Sequence, residues 1–259
     1  MNQAVSVNEG RYIYGIIRCS EYIDFGPIGI GERNDMVYGV VYGDICSIVS
    51  STPIRQYEAR RLNMIAHQKV LEKVMKNFSV LPVRFSTISP YDNDDAIVQI
   101  LKNEYNRLDN LLDRMSGKKE LGLKVMAKEK SIYDNILQKY TDIAALKEKL
   151  INKPPDKVHY QLVKIGEMVG EALDKEINNY KSNILDSLSL IAEDVKLSNN
   201  YGDLMILNAA FLVKESSEHD FDEAVNCLDL KYQNIMTFKY VDALPPYNFV
   251  NLTINTKGG

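Results

Sequence analysis

His67 and Arg84 are the two side chains in this sequence best placed to do chemistry. Stepped at about 100° per residue from Leu62, His67 falls in one arc with Met64, Val70, Leu71, Val74, Met75 and Phe78. Arg61, Gln68, Lys69, Glu72 and Lys76 fill the opposite arc. An imidazole on the buried side of a helix is a general base, a switch or, as is usual for a lone buried histidine, a neutral group satisfied by a buried acceptor. Arg84 follows the apolar run Val80-Leu81-Pro82-Val83. Its planar guanidinium suits a partner's carboxylate, held through two parallel hydrogen bonds, or an internal ion pair that ties helix to strand. With a nearby carboxylate, these two residues define the catalytic reading of the sequence: a small-molecule site between two domains near His67 and Arg84.

Other chemistry finds less support. Gly26, Gly29 and Gly31 stand in GPIGIGER, but a phosphate-cradling loop needs a helix N-terminus after it and here a strand pattern follows, so a plain turn is expected. His159 and His219 have no second ligand at helical spacing, and no nucleophile motif accompanies any histidine. Cys19, Cys46 and Cys227 are odd in number and far apart, without a C-x-x-C pair, which argues against a disulfide framework and a zinc site and for a reducing, cytoplasmic setting. No metal or other cofactor is therefore expected. A net charge of −4 makes nucleic acid a poor partner. No run of about 18 apolar residues occurs, and MNQAVSVNEGR lacks the basic and apolar regions of a signal peptide, so neither membrane insertion nor secretion by that route is expected. Lys118, Lys119, Lys124, Lys128 and Lys130 form a locally basic strip, ordinarily a solvated face. The 16 tyrosines, against 7 phenylalanines and no tryptophan, favour a binding role, because tyrosine supplies amphipathic contact area.

The elements that must position these residues alternate in type. Arg11 to Arg18, Met36 to Tyr42 and Ile45 to Val49 read as strands of a mostly antiparallel sheet, with turn-rich sequence from Asp24 to Asn34. The helix carrying His67 begins near Gln56, and Pro82 confines the strand after it to a sheet edge or a bulge. Asp94 to Met115 keeps helical spacing behind a cap at Asn93 or Asp92, and Gly117 stops it. A second unit opens with the strand Glu120 to Ala127. Ile132, Ile136, Tyr140, Ile143 and Leu150 line one helix. After a turn at 152–156, Val158 to Val195 recurs at steps of three and four as one long helix, so an αα-hairpin is expected. Strand Asp203 to Val213, helix Asp220 to Leu230, strand Asn234 to Val241 and an alternating run Tyr247 to Ile254 complete the chain. This order is close to a ferredoxin-like α+β arrangement.

Several of these segments carry a family pattern. Arg61, Asn63, His67, Val70, Leu71 and Met75, followed by Leu81, Pro82, Arg84, Phe85 and Thr87, resemble the helix and the "LPxRFGT" strand of the GvpF/GvpL family of gas vesicle proteins. Tyr12-Ile13-Tyr14-Gly15-Ile16 and the run GDICSIVS from Gly43 to Ser50 extend the resemblance, as do Asn208 with Ala210 to Val213, and Pro245, Pro246, Tyr247, Phe249, Val250 and Leu252. Two positions depart from it. Ser86 replaces the usual glycine, removing the residue that a positive-φ backbone would favour, and Leu244 stands where the family often has tryptophan.

The resemblance implies two α+β domains, 1–116 and 117–259, the second a modified ferredoxin-like fold with a long helical hairpin inserted at about 129–196. It also implies a non-enzymatic gas vesicle accessory or minor structural protein, cytoplasmic and associated with gas vesicles. Such a protein binds the major shell protein and other accessory proteins during assembly. Pro82, Arg84, Phe85, Tyr247 and Phe249 are the candidate partner-binding residues. The edges at Val80 to Phe85 and Tyr247 to Ile254 are the places where a partner segment could add as a strand.

Overall fold

A computed structural model describes residues 8–150 and 153–256. The reading of the first seven residues, and part of the turn expected at 152–156, lie outside the described residues. The chain divides into two units: Met1–Glu120 with Ala243–Gly259, and Leu121–Asp242. The residues after the last strand thus belong to the first unit, although they follow the second in sequence.

In the first unit, strands β1 (Glu9–Arg18), β2 (Asp24–Gly26), β3 (Val37–Tyr42), β4 (Ile45–Pro53), β5 (Val80–Pro82) and β6 (Ile88–Ser89) form one sheet. Its order is β2-β3-β4-β1-β5, with β6 also paired to β1. The pairings of β1 with β4, β5 and β6, and of β3 with β2 and β4, are antiparallel. β5 lies at the edge of this order, as Pro82 requires, since proline cannot donate to a further ladder. β1 is bulged between Ile13 and Gly15. A Cβ at Gly15 would lie 2.7 Å from Val80 Cγ2 and 3.0 Å from the Leu81 carbonyl oxygen, so glycine is what lets β5 approach β1 there.

Helix α1 spans Arg61–Met75, five residues later than expected from the pattern. His67, Val70, Leu71 and Val74 are buried on it, whereas Met64, placed on the buried arc by periodicity, is 43% exposed. Tyr12, Tyr14, Ile17, Tyr57, Val70, Leu71, Val74 and Val80 belong to one buried cluster. Helix α2 (Asp94–Met115) is capped by Asn93, whose Oδ1 accepts from the Ala96 N–H at 3.0 Å, and Gly117 takes φ 66° just past its end. Gly26, at φ 80°, ends β2 and Gly31, at φ 89°, lies in the turn before β3; no helix follows either directly.

The tail corrects one expectation. Tyr247 to Ile254 is not a strand: a turn runs through 247–249 and irregular backbone follows. Its alternation is nonetheless real burial, because Val250, Leu252 and Ile254 are buried while Asn251 and Thr253 are exposed. The tail is fastened to this unit by Glu120, which is 1% exposed and accepts from the Asn248 N–H at 3.0 Å and from Asn248 Nδ2 at 2.6 Å.

In the second unit, β7 (Lys118–Ala127), β8 (Asp194–Leu197), β9 (Met205–Lys214) and β10 (Met236–Leu244) form a sheet of order β10-β7-β9-β8. Between β7 and β8 stand α3 (Glu129–Lys139), α4 (Thr141–Leu150) and α5 (Pro155–Leu188), and α6 (Glu218–Tyr232) lies between β9 and β10. The expected first helix is divided at Tyr140, which leaves helical geometry at φ −104°, ψ 83°; its hydroxyl donates to the buried Glu176 carboxylate at 2.8 Å. α5 ends at Leu188, and Val195, read as its continuation, belongs to β8. Ile132, Ile136, Ile143, Ala172, Leu173, Ile184 and Leu188 share one core with β7 and β9, while Tyr160, Leu162 and Val163 near the start of α5 are exposed.

Candidate functional site

The residues of the first unit converge on His67. β1 places Tyr12 and Tyr14 beside it, α1 carries the histidine itself, the loop after β5 brings Phe85, and the Pro245-Pro246 turn brings Tyr247. Ring centroids of Tyr12, Tyr14, Phe85 and Tyr247 lie 5.7, 5.6, 5.6 and 6.5 Å from the imidazole. Both ring nitrogens are engaged: Nδ1 is 3.0 Å from the Tyr12 hydroxyl and Nε2 is 2.7 Å from the Tyr247 hydroxyl. Counting donors assigns the tautomer. The Tyr12 oxygen accepts the Ser86 N–H at 2.9 Å and keeps its own proton for Nδ1, so Nε2–H donates to Tyr247.

Burial governs the electrostatics of this box. His67 is 2% exposed, and removal from water lowers its pKa from 6.5 to about 4, so it is neutral at pH 7. Burial likewise pushes the Tyr12 and Tyr247 phenols above their usual range and Tyr14 up to about 12. At neutral pH the uncharged imidazole is thus bonded at both nitrogens to uncharged phenols. What the arrangement does is join α1, β1 and the tail, across 55 residues to Tyr12 and 180 to Tyr247.

A second layer fixes the loop at 83–88. Val83 N–H donates to the Tyr14 carbonyl, Ile13 N–H to the Thr87 carbonyl, and Thr87 Oγ1 to the Arg84 carbonyl. Tyr57 N–H donates to Ser86 Oγ at 2.9 Å, and the Tyr57 hydroxyl meets Thr52 Oγ1 at 2.6 Å. Ser86 keeps the backbone that glycine would favour, at φ 64°, despite its side chain. Two hydrogen bonds made by its backbone and hydroxyl hold it there.

The five partner-binding candidates therefore separate by environment. Pro82 is buried at the end of β5, Phe249 is 6% exposed, and Phe85 is half-buried against His67. Tyr247 is 41% exposed with its hydroxyl on His67. Arg84 is exposed and, among the described residues, has no ion pair; it lines a groove of about 640 Å³ with Arg55, Ile54, Phe85, Ile88 and Ile254. The internal ion pair weighed for Arg84 is not made with any described residue. Sequence reasoning missed the tyrosine partners of His67. The alternation Tyr12-x-Tyr14 was the available signal, since it sets two phenols on one face of a strand.

Elsewhere, the three cysteines are free. Among the described residues, no group of three His, Cys, Asp or Glu side chains is arranged to hold a metal, and no helix is long and apolar enough to cross a membrane.

A sequence model of the family described as "Gas vesicle synthesis protein GvpL/GvpF" matches residues 10–251. The chain belongs to this family. Gas vesicle protein F of Dolichospermum flosaquae is 27% identical over 244 residues, covering 93% of this chain and 97% of that protein. Gas vesicle protein F of a Streptomyces species is 28% identical, covering 92% of this chain and 98% of its own length. Among solved structures, GvpF from Anabaena sp. PCC7120 superposes with a TM-score of 0.80 at 24% identity, covering 95% of this chain and 99% of that one. GvpF from Microcystis aeruginosa gives 0.71 at 24% identity, with 94% and 99% covered. These two establish the fold: a mixed α/β chain with two sheets. The motif segments quoted from the sequence up to Val250 all fall inside the matched range.

Proposed function

We propose that this chain is a non-enzymatic accessory or minor structural protein of the gas vesicle, cytoplasmic and vesicle-associated. It binds the major shell protein and other accessory proteins during assembly. The observation that carries this reading is the family match from residue 10 to residue 251, with the His67 helix and the Leu81-Pro82-x-Arg84-Phe85 strand inside it. The chemistry of the site supports the non-enzymatic part. His67, the best candidate for a catalytic base, is buried with both nitrogens bonded, so its role is to hold three segments together. Of the five candidate contact residues, Arg84 and Tyr247 present the most accessible surface, with Phe85 between them and the core. β5 ends the sheet order, but its three residues are buried, so the accessible surface is that of the loop after it.

The same reading assigns a modified ferredoxin-like fold to the second unit. Its strand order β10-β7-β9-β8, with helices between β7 and β8 and between β9 and β10, supports this. In it α3, α4 and α5 take the place of the single first crossover helix and serve as the inserted helical hairpin. Deleting this chain from a vesicle-forming host and scoring cells by electron microscopy tests the function: absent or malformed vesicles are expected, and normal buoyant vesicles would refute it.

A further inference from the structure

Five arginines of the first unit are held by carboxylates. Arg11 pairs with Asp92 and Asp94, Arg18 with Asp44, Asp109 and Asp113, Arg33 with Glu9 and Asp35, Arg60 with Glu58, and Arg107 with Glu104. In a chain with 35 acidic residues against 31 Lys and Arg, carboxylates are available. Arg55 and Arg84, which line the same groove, nonetheless hold none among the described residues. Among the described residues no acidic side chain lines that groove; its other walls are Ile54, Phe85, Ile88, Ile254 and the polar Gln56, Ser86, Thr87 and Thr256.

Both guanidiniums start from fixed supports. Arg55 lies over the Tyr57 ring, 4.7 Å from its centroid, and Tyr57 is 4% exposed with its hydroxyl and N–H both bonded. Arg84 leaves a loop pinned by the hydrogen bonds of Val83, Ser86 and Thr87. The next hollow, at the start of α1, shares Arg55 and Gln56 with the groove. α1 begins there with no side-chain cap and no acid in its first turn, and Glu58, paired with Arg60, lines that hollow just ahead of it. Two guanidiniums, four apolar side chains and a preorganised backbone thus coincide in the groove.

We infer that the Arg55–Arg84 groove binds an extended segment of a protein partner in which carboxylate side chains alternate with apolar ones. The guanidiniums would take the carboxylates through paired hydrogen bonds, and Ile54, Phe85, Ile88 and Ile254 would receive the apolar neighbours. A polyphosphate backbone fits less well, because it offers nothing to the apolar walls and the chain as a whole is acidic. This inference rests on the assembly role proposed above, and names the chemistry of the partner.

A labelled peptide of about ten residues alternating glutamate with leucine, and its glutamine counterpart, can be titrated against the full chain by fluorescence anisotropy. The glutamate peptide should bind at least about tenfold tighter, and Arg55→Gln with Arg84→Gln should remove that preference without changing the melting temperature. Should the double variant fold poorly, raising salt on the wild-type chain should weaken the glutamate peptide selectively. Equal affinity for the two peptides, or displacement of the glutamate peptide by equimolar inorganic phosphate, would overturn the inference. Capture of the major shell protein separates the two levels. Undiminished capture by the double variant refutes the groove alone, whereas no capture by the wild-type chain refutes the assembly role and leaves the peptides to judge the groove.

Discussion

Phe85 and Arg84 are neighbours in the chain, yet they serve regions built on opposite terms. Phe85 closes the box around His67, where a titratable ring is buried, neutral and bonded at both nitrogens. Arg84 opens onto the groove, where two guanidiniums stand without a carboxylate among the described residues. One loop supplies both, and its hydrogen bonds stiffen both. A histidine at the centre of a family motif is therefore a structural clamp, and the loop packed against it carries Arg84, whose guanidinium holds no carboxylate among the described residues. On the reading proposed above, the bonded residues hold the fold and the open ones meet the partner.

The largest expected effect comes from breaking the box. His67→Ala removes a buried ring and leaves the Tyr12 and Tyr247 hydroxyls without their partner, so denaturant unfolding should show a loss of about 4 kcal/mol. A loss under about 1 kcal/mol would mean that the box is not a clamp.

Acid should reproduce part of that loss. The folded pKa of His67 is about 4 against 6.5 for a free ring, so between these values the unfolded chain binds a proton that the folded chain refuses. Stability from this group is complete above about pH 6.5 and declines as pH falls towards 4, by roughly 3 kcal/mol. His67→Phe should flatten this part of the stability profile, and the difference between the two profiles isolates the histidine from the carboxylates.

Smaller effects sharpen the contrast at the shared loop. Ser86→Ala keeps a side chain at positive φ and strips the Tyr57 N–H of its acceptor, for a cost of about 1–2 kcal/mol. Ser86→Gly loses the same acceptor but relieves the backbone, and should stay within about 0.5 kcal/mol of the starting protein. On the groove side, Arg55→Gln with Arg84→Gln should leave stability within about 0.5 kcal/mol while reducing partner binding. A large stability loss from the arginine pair would abolish the distinction between clamp and surface.

Much of the fold was legible in the sequence because its signals are local. The strands β1, β3, β4, β7 and β9, the Asn93 cap, the stop at Gly117 and the edge position of Pro82 follow from period-two patterns, capping chemistry and the missing proline N–H. The failures are contacts far apart in sequence, or elements too short to carry a period. β8 has four residues, half of them exposed, and offers no alternation to read. Tyr247 to Ile254 alternates as a strand would, but two prolines and a turn leave it unpaired, and its burial comes from irregular backbone. Met64 sits on the apolar arc of α1 in projection, yet it lies in the first turn, where it stays exposed. The His67 box was half legible. Burial of the histidine follows from helical periodicity, whereas its bond to Tyr247 spans 180 residues and has no local signature.

The most direct measurement of the central claim is co-expression of the tagged chain with the major shell protein, followed by affinity purification and quantification of both. The account predicts that shell protein is retained with the chain well above a tagged control. Recovery of the chain alone, folded and free of shell protein, would contradict it.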